Sequence, residues 1–387
     1  PHPPLDCPFH SRSFTRRVWL TLMAHKEVLK FEPGRRFNGW TVASPLGEGG
    51  FGQVYLVTKE GQMAALKAES NEVEGGSAIK LEIRVIRELN SDGERPHIPQ
   101  VYHAAKRTEF CYMIMSLLGP NLKQLLKETK TGTFSTGTWV RLGIQALYAV
   151  KTVHEKGYIH RDIKPNNFVM GRPADKQKNR MLFVLDFGLA RSYAKHFPGH
   201  GWVMRLARAK CDFRGTHRYC SPNVYDRKEQ GRCDDVLSML YVLIEFHCGL
   251  PWQKERDKLK IELMKKSMPD DEVMKKMPQE MNHVMSDLRR LDCYQRPDYH
   301  SFYQCLIDIM KRKNIGFHDR YDWEGRNEEI DKTLCPPWMD KQKANAFFKA
   351  DPINLHRPPS AEDRDKFDRP EGSIILINER GTSQTRE

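Results

Sequence analysis

No run of about 18 or more apolar residues occurs in this chain, so no transmembrane helix is expected. The stretch Val18–Met23 is too short and lacks a small-residue cleavage site, so it is not read as a signal peptide. The nine cysteines contain no CxxC pair and are odd in number. That argues against a disulfide framework and against a cysteine metal site. Several sit in apolar runs, Cys111 and Cys248 among them, as reduced, buried thiols of a cytoplasmic or nuclear protein would. Internal repeats are absent. Between Gly188 and Thr216 hydroxyl side chains are nearly missing, Ser192 and Tyr193 being the only ones. The chain begins at Pro1 rather than Met, as a fragment or an extended gene model would.

Acidic residues are in deficit: 63 Lys and Arg face 50 Asp and Glu, a formal net charge of +13. From Gly325 onward 11 basic residues meet 12 acidic ones, so the positive field belongs to the first 324 residues. Such a field favours acidic or phosphorylated partners. Nucleic acid is the competing partner, but aromatic residues do not interleave with the basic segments as single-strand binding would want, so none is expected. A length of 387 residues can hold one large two-lobed domain with tails.

Residues 1–36 are Pro-rich and then basic, an appendage with a helix expected through 14–29. Residues 37–115 read as strands around one helix. In that helix, Ala78 to Leu89, Ile79, Ile83, Ile86 and Leu89 recur at three- and four-residue spacing. From 121 apolar helices dominate, at 121–128, 139–155, 235–248 and 302–312. Residues 325–387 are charged and broken by prolines, and read as a largely disordered tail with one strand-like piece at 374–377.

Gly47-Glu48-Gly49-Gly50-Phe51-Gly52-Gln53-Val54 is a GxGxxGxV string. Glycines there let backbone amides approach a phosphate with no Cβ in the way. Alone the string is weak, because hairpins often turn on glycine. Lys67, fifteen residues after Gly52, strengthens it. A lysine neutralises phosphate charge, and the small Ala65 leaves room for an adenine ring. Further on stands His160-Arg161-Asp162-Ile163-Lys164-Pro165-Asn166-Asn167, with Asp186-Phe187-Gly188 beginning nineteen positions after Asn167. Phosphoryl transfer needs a carboxylate to orient the attacking hydroxyl, and hard oxygen donors to hold Mg2+ on the nucleotide. Asp162, Asn167 and Asp186 supply these in order. Lys164 could neutralise the transferring phosphate. His160 is a packed support in any reading, and Asp235 an acid opening a helix and holding the catalytic loop.

These strings resemble the catalytic core of protein kinases, with a lysine two positions after Asp162 as in Ser/Thr-directed members. The resemblance covers roughly residues 37–324. Leu117-Leu118-Gly119-Pro120-Asn121-Leu122 is similar to the hinge of the casein kinase 1 group, and Ser221-Pro222-Asn223 stands where most kinases have Ala-Pro-Glu. Phe213–Tyr219, Gly231–Asp235, Leu250-Pro251-Trp252, Tyr321-Asp322-Trp323-Glu324 and a basic insertion at 171–181 look most like the tau-tubulin kinase branch.

The resemblance implies an α+β bilobal protein kinase fold. It has a small β-rich lobe at 37–115 with one main helix, a hinge at 116–120 and a larger helical lobe at 121–324. It implies ATP and Mg2+ as cofactors, Glu82 as the acid orienting Lys67, Met115 guarding the inner pocket, and backbone near Leu118 pairing with adenine. Asn223 removes a familiar ion pair and puts the usual anchoring of the activation segment in doubt. Arg218 falls where the casein kinase 1 group has an anion pocket, with Arg214 beside it and Lys258 a further candidate. The bland alternative is a solvated basic loop. The function implied is an ATP-dependent serine/threonine protein kinase. It would be monomeric and not membrane-bound, and would act on protein substrates that are acidic, primed by phosphate or cytoskeletal. The competing reading is a pseudokinase scaffold. Completeness separates them: Lys67, Glu82, Asp162, Asn167 and Asp186 are all present.

Overall fold

The computed structural model of the protein describes residues 29–49, 52–72, 78–326 and 329–367. The expected helix at 14–29 and the strand-like piece at 374–377 lie outside this set, apart from Leu29 itself.

The small lobe is a six-stranded antiparallel sheet in the order β1-β2-β3-β4-β6-β5. The strands are β1 (Arg36–Phe37), β2 (Trp40–Gly49), β3 (Gly52–Lys59), β4 (Gln62–Ser70), β5 (Val101–Lys106) and β6 (Phe110–Ser116). One helix, α1 (Ala78–Leu89), packs on it. Its Ile79, Ile83, Ile86 and Leu89 are all buried, as the 3.6-residue period requires. On the other face Phe31, Phe37, Tyr55, Phe110 and Tyr112 form an aromatic cluster, with ring centroids 4.9–6.2 Å apart. The small lobe thus starts before residue 37, because Phe31 completes that core.

The large lobe contains α2 (Leu122–Glu128), α3 (Thr136–His154), α4 (Pro222–Tyr225), α5 (Arg232–Cys248), α6 (Lys258–Ser267), α7 (Asp270–Met274), α8 (Val284–Arg289) and α9 (Tyr299–Arg312). Asn121 starts α2 right after the hinge: its side chain accepts from Gln124 N while the Gln124 side chain accepts from Asn121 N. Helices α3 and α5 are buried almost all round and pass through the centre of the lobe. Short pairs β7 (Tyr158–Ile159) with β10 (Arg191–Ser192), β8 (Phe168–Met170) with β9 (Leu182–Val184), and β11 (Ala194–Phe197) with β12 (Gly201–Met204) carry the loops of the cleft. The Tyr321–Glu324 string clamps the lobe's edge: Arg141 donates to the Phe317, Asp319 and Arg320 carbonyls, Asp322 accepts from Ser135, and Glu324 pairs with Arg180 of the insertion at 2.8 Å.

Residues 329–367 correct the expectation of a disordered tail. They include α10 (Lys341–Lys349) and α11 (Ala361–Phe367) and run along the large lobe. Trp338 lies 4.2 Å from the His97 ring, Phe347 stacks on Tyr148 at 3.8 Å, and Phe348 stacks on Tyr303 at 4.6 Å. Ile353 joins Tyr193 and Met204 in a small core, and Phe367 lies under the Arg205 guanidinium. Charge-rich, Pro-broken composition hid a few widely spaced apolar side chains. Each such side chain contributes about 1.5–3 kcal/mol when fully buried.

Candidate active site

The cleft is assembled from both lobes. Strand register puts Ala65 opposite Met115 and Lys67 opposite Met113. Alternation turns Ala65 and Lys67 to one face while Leu66 is buried on the other. Met115 is buried behind Ala65. Above them β2 and β3 form the glycine hairpin. Gly47 pairs with Val54, and Gly49 with Gly52 as the last rung. Two register shifts bend β2 just before Gly47, whose φ of +150° and open surroundings leave its backbone accessible. Just past the end of β6 the hinge carries half-buried Leu118. Next to it Gly119 donates to the Met170 carbonyl at 2.8 Å, and a Cβ there would lie 2.6 Å from the Gly171 oxygen. The hinge can rest on β8 only with glycine at that position.

Lys67 Nζ sits 2.6 Å from Glu82 Oε2 and 3.8 Å from Asp186 Oδ1. Burial opposes the ammonium charge, but the Glu82 and Asp186 carboxylates outweigh it and raise the Lys67 pKa. Glu82 faces inward because it shares the buried face of α1 with Ile79, Ile83 and Ile86. One strand, one helix and the Asp186 loop are thus tied by a single cation.

The catalytic loop has its own support. Arg161 is held at a φ of +67°, a strained conformation for a side-chain-bearing residue. Asp235 holds it: His160 N donates to Oδ2 at 2.6 Å and Arg161 N to Oδ1 at 2.8 Å, with His154 Nε2 at 3.0 Å from Oδ2. Burial alone would raise the Asp235 pKa, but His154 and these donors bring it below its ordinary value. His160 packs on Phe187 and meets the Leu185 carbonyl at 2.9 Å, the supporting place expected of it.

Asp162 is held at both oxygens. Thr216 Oγ1 donates to Oδ1 at 2.6 Å, and Lys164 Nζ lies 2.5 Å from Oδ2. Asn167 donates its amide to the Asp162 carbonyl at 2.9 Å, which leaves its side-chain oxygen as an acceptor. Asp186 has a φ of +67°, and its Oδ1 is buried with no hydrogen-bond partner among the described residues. Leu185 N donates to the Asn167 carbonyl at 2.8 Å and so links the two loops, and a carboxylate oxygen without a hydrogen-bond donor together with a carboxamide oxygen suits a small hard cation.

Asn223 does not leave the activation segment unanchored. Ser221 and Asn223 both donate to Asp234 Oδ1, the latter at 3.0 Å, while Gly231 N donates to Oδ2 at 2.7 Å. Neutral donors do the work of the missing ion pair.

The expected anion pocket is built differently from the sequence reading. Arg218 donates to the Gln253 carbonyl at 2.7 Å and lies 3.8 Å from buried Glu245. Its fork is therefore already held by the protein. Arg214 is half-exposed, 3.7 Å from the exposed Asp212. Lys265, which sequence reasoning passed over, donates from a fully buried position to the His217 and Cys220 carbonyls at 2.9 and 2.6 Å. No local sequence signal marks it, since it lies in a lysine-rich helix that reads as solvated.

The protein kinase domain family matches residues 40–306. The chain is 40% identical over 290 residues to a protein of Caenorhabditis elegans named "Inactive tau-tubulin kinase", covering 74% of this chain and 99% of that one. It is 40% identical over 295 residues to a "Putative serine/threonine-protein kinase" of the same organism, covering 75% and 82%. A third C. elegans protein, a "Putative casein kinase I", is 31% identical over 315 residues, covering 78% and 89%. With the bilobal fold and the Lys67–Glu82–Asp186 chain already in place, these likenesses show that the chain belongs to the protein kinase family, among relatives of tau-tubulin kinase and casein kinase I type.

Proposed function

We propose that the chain is an active serine/threonine protein kinase of casein kinase 1 type, using ATP and Mg2+. The observation that carries this reading is the complete and mutually oriented charge set: Lys67 between Glu82 and Asp186, and Asp162 held by Thr216 and Lys164. Bound Mg2+–ATP supplies the phosphoryl group. Asn167 and Asp186 would hold the metal, and the backbone of Gly47, Gly49 and Gly52 would meet the phosphates, with Val54, Ala65, Met115 and Leu118 available to the base. Asp162 orients the substrate hydroxyl and accepts its proton. Lys164, already beside Asp162, balances charge there. Positioning matters more than basicity in a loose phosphoryl-transfer transition state.

Substrates are acidic, primed or cytoskeletal proteins. This rests on the positive charge of the first 324 residues and on half-exposed Arg214. Arg218 joins such a site only by giving up the Gln253 carbonyl. The relative's name supports a cytoskeletal substrate class, and the absence of any disulfide among the eight described cysteines fits a cytoplasmic setting. The second reading, a pseudokinase scaffold, is favoured by the relative named inactive. Transfer of radiolabelled γ-phosphate to acidic peptides by the purified chain decides between them. Label transferred by wild type and lost in Asp162→Asn is expected; no transfer from a folded, ATP-loaded wild type would sink the proposal.

A further inference from the structure

Two arginines, Arg208 and Arg191, converge behind the activation segment on one carboxylate, Glu229. Glu229, nearly buried, accepts from Arg208 through two nitrogens, Nε to Oε2 at 2.7 Å and Nη2 to Oε1 at 2.9 Å. Arg208 N adds a third contact at 3.3 Å, and Arg191 Nε lies 3.4 Å from Oε1. Arg161 stands near enough that its guanidinium, pushed down to about 10 by burial and then by Arg191 and Arg208, is eased by Glu229 and Asp235.

Each arginine belongs to a different working part. Arg161 precedes Asp162. Arg191 pairs in β10 with Ile159 of β7, the strand that runs directly into His160. Arg208 lies in the middle of the segment between Asp186 and Ser221. Gln230, the next residue, donates to the Arg214 carbonyl at 3.3 Å. At Gly215, with a φ of +117°, an added Cβ would lie 2.7 Å from the Arg161 oxygen, and Thr216 then reaches Asp162. The stretch from Arg208 to Thr216 is therefore seated against the catalytic loop through Glu229 and Gln230.

An anion among arginines is how phosphate orders kinase activation loops. Residues 194–215 contain no Ser, Thr or Tyr, so no phosphate can be added within this stretch. We propose that Glu229 is the fixed anion that holds the activation segment in its substrate-accepting form, a positioning residue acting through Arg208 and Arg191. The proposal rests on the kinase reading above and adds how the site is kept competent without phosphorylation. The Glu229 carboxylate is occupied by Arg208 and Arg191, so it acts by placing them.

The full chain carrying Glu229→Gln tests it. The peptide KM should rise about tenfold or more, the scale of losing a charge-assisted hydrogen bond, while the ATP KM stays within about twofold. Amide hydrogen exchange across 205–216 should speed up. Inorganic phosphate at millimolar concentration should partly restore Glu229→Ala and leave wild type unchanged. A folded Glu229→Gln protein with wild-type peptide KM and unchanged exchange overturns the proposal. If Glu229→Gln does not fold, Glu229→Asp and phosphate-treated Glu229→Ala decide: recovery in either supports a fixed anion, and recovery in neither overturns it. Hydrogen exchange needs no turnover, so a chain that transfers no phosphate defeats the kinase reading and still reports on Glu229.

Discussion

The cleft and the carboxy-terminal strap are held by opposite means. In the cleft, carboxylates meet cations and polar donors: Glu82 and Asp186 with Lys67, Asp162 with Lys164, Asp235 with two backbone amides. In the strap, rings meet rings: Trp338 covers His97, Phe347 and Phe348 flank Tyr148, and Phe367 lies under Arg205. Burial beneath the strap pushes His97 down to about 4 and so keeps it neutral. The cleft uses charges that cost folding energy when buried, and under the proposed function their return is catalytic. The strap carries no reacting group, and its return is stability. Substitutions in the two regions should therefore separate turnover from unfolding.

The largest effect belongs to the cleft. Lys67→Met and Asp162→Asn should each lower turnover by about 100-fold or more, with melting temperatures close to wild type. Steady-state rates beside calorimetry check this. Wild-type-like turnover in a folded Asp162→Asn protein would undo the assignment of Asp162.

The strap should behave in reverse. Trp338→Ala should cost about 3–5 kcal/mol of stability, and a chain ending at Glu324 should melt lower still while residual folded protein keeps its Lys67–Glu82 pair. Composition alone argues that residues 325–387 are dispensable; the buried Trp338, Phe348, Ile353 and Phe367 argue that they are not. Denaturant unfolding of both proteins settles which is right, and equal midpoints would return the strap to a passive tail.

Lys265 is a buried amine that donates to the His217 and Cys220 carbonyls among the Trp252 and Tyr241 rings. Burial pushes it down to about 7 from an ordinary 10.5. Between these values the unfolded chain holds a proton that the folded chain lacks, so stability contributed by this group rises with pH there. As pH falls toward 7 the contribution is lost. Lys265→Met should flatten the rise in unfolding free energy between pH 7 and pH 9, measured by urea titration; an unchanged slope would show that another group causes it.

The smallest effect concerns the basic loop. Arg214→Ala should weaken the specificity constant for a primed peptide by a few-fold at low salt and less at high salt, as expected for an exposed arginine. Arg218→Ala should lower stability and affect primed and unprimed peptides alike, because its guanidinium is held by Gln253 and Glu245. A selective loss on the primed peptide in Arg218→Ala would restore the pocket that the sequence alone suggests.

What could be read along the chain was chemistry confined to short spans. His160–Asn167 and Asp186–Gly188 are contiguous because a loop must present several groups within a few residues of backbone, and α1 shows its buried face by its own period. The sequence by itself therefore determined the bilobal α+β fold and marked the candidate charge set that the structure brings together in the cleft. Only the tertiary structure decided what lies across long sequence separations. It placed Glu229 on Arg208 and Arg191, Lys265 on the His217 and Cys220 carbonyls, Arg218 on Gln253, and Trp338 over His97. A charged residue carries no local mark of whether it will meet water or a buried partner, because that depends on which distant face packs against it, and burial rather than residue type sets both its pKa and its task.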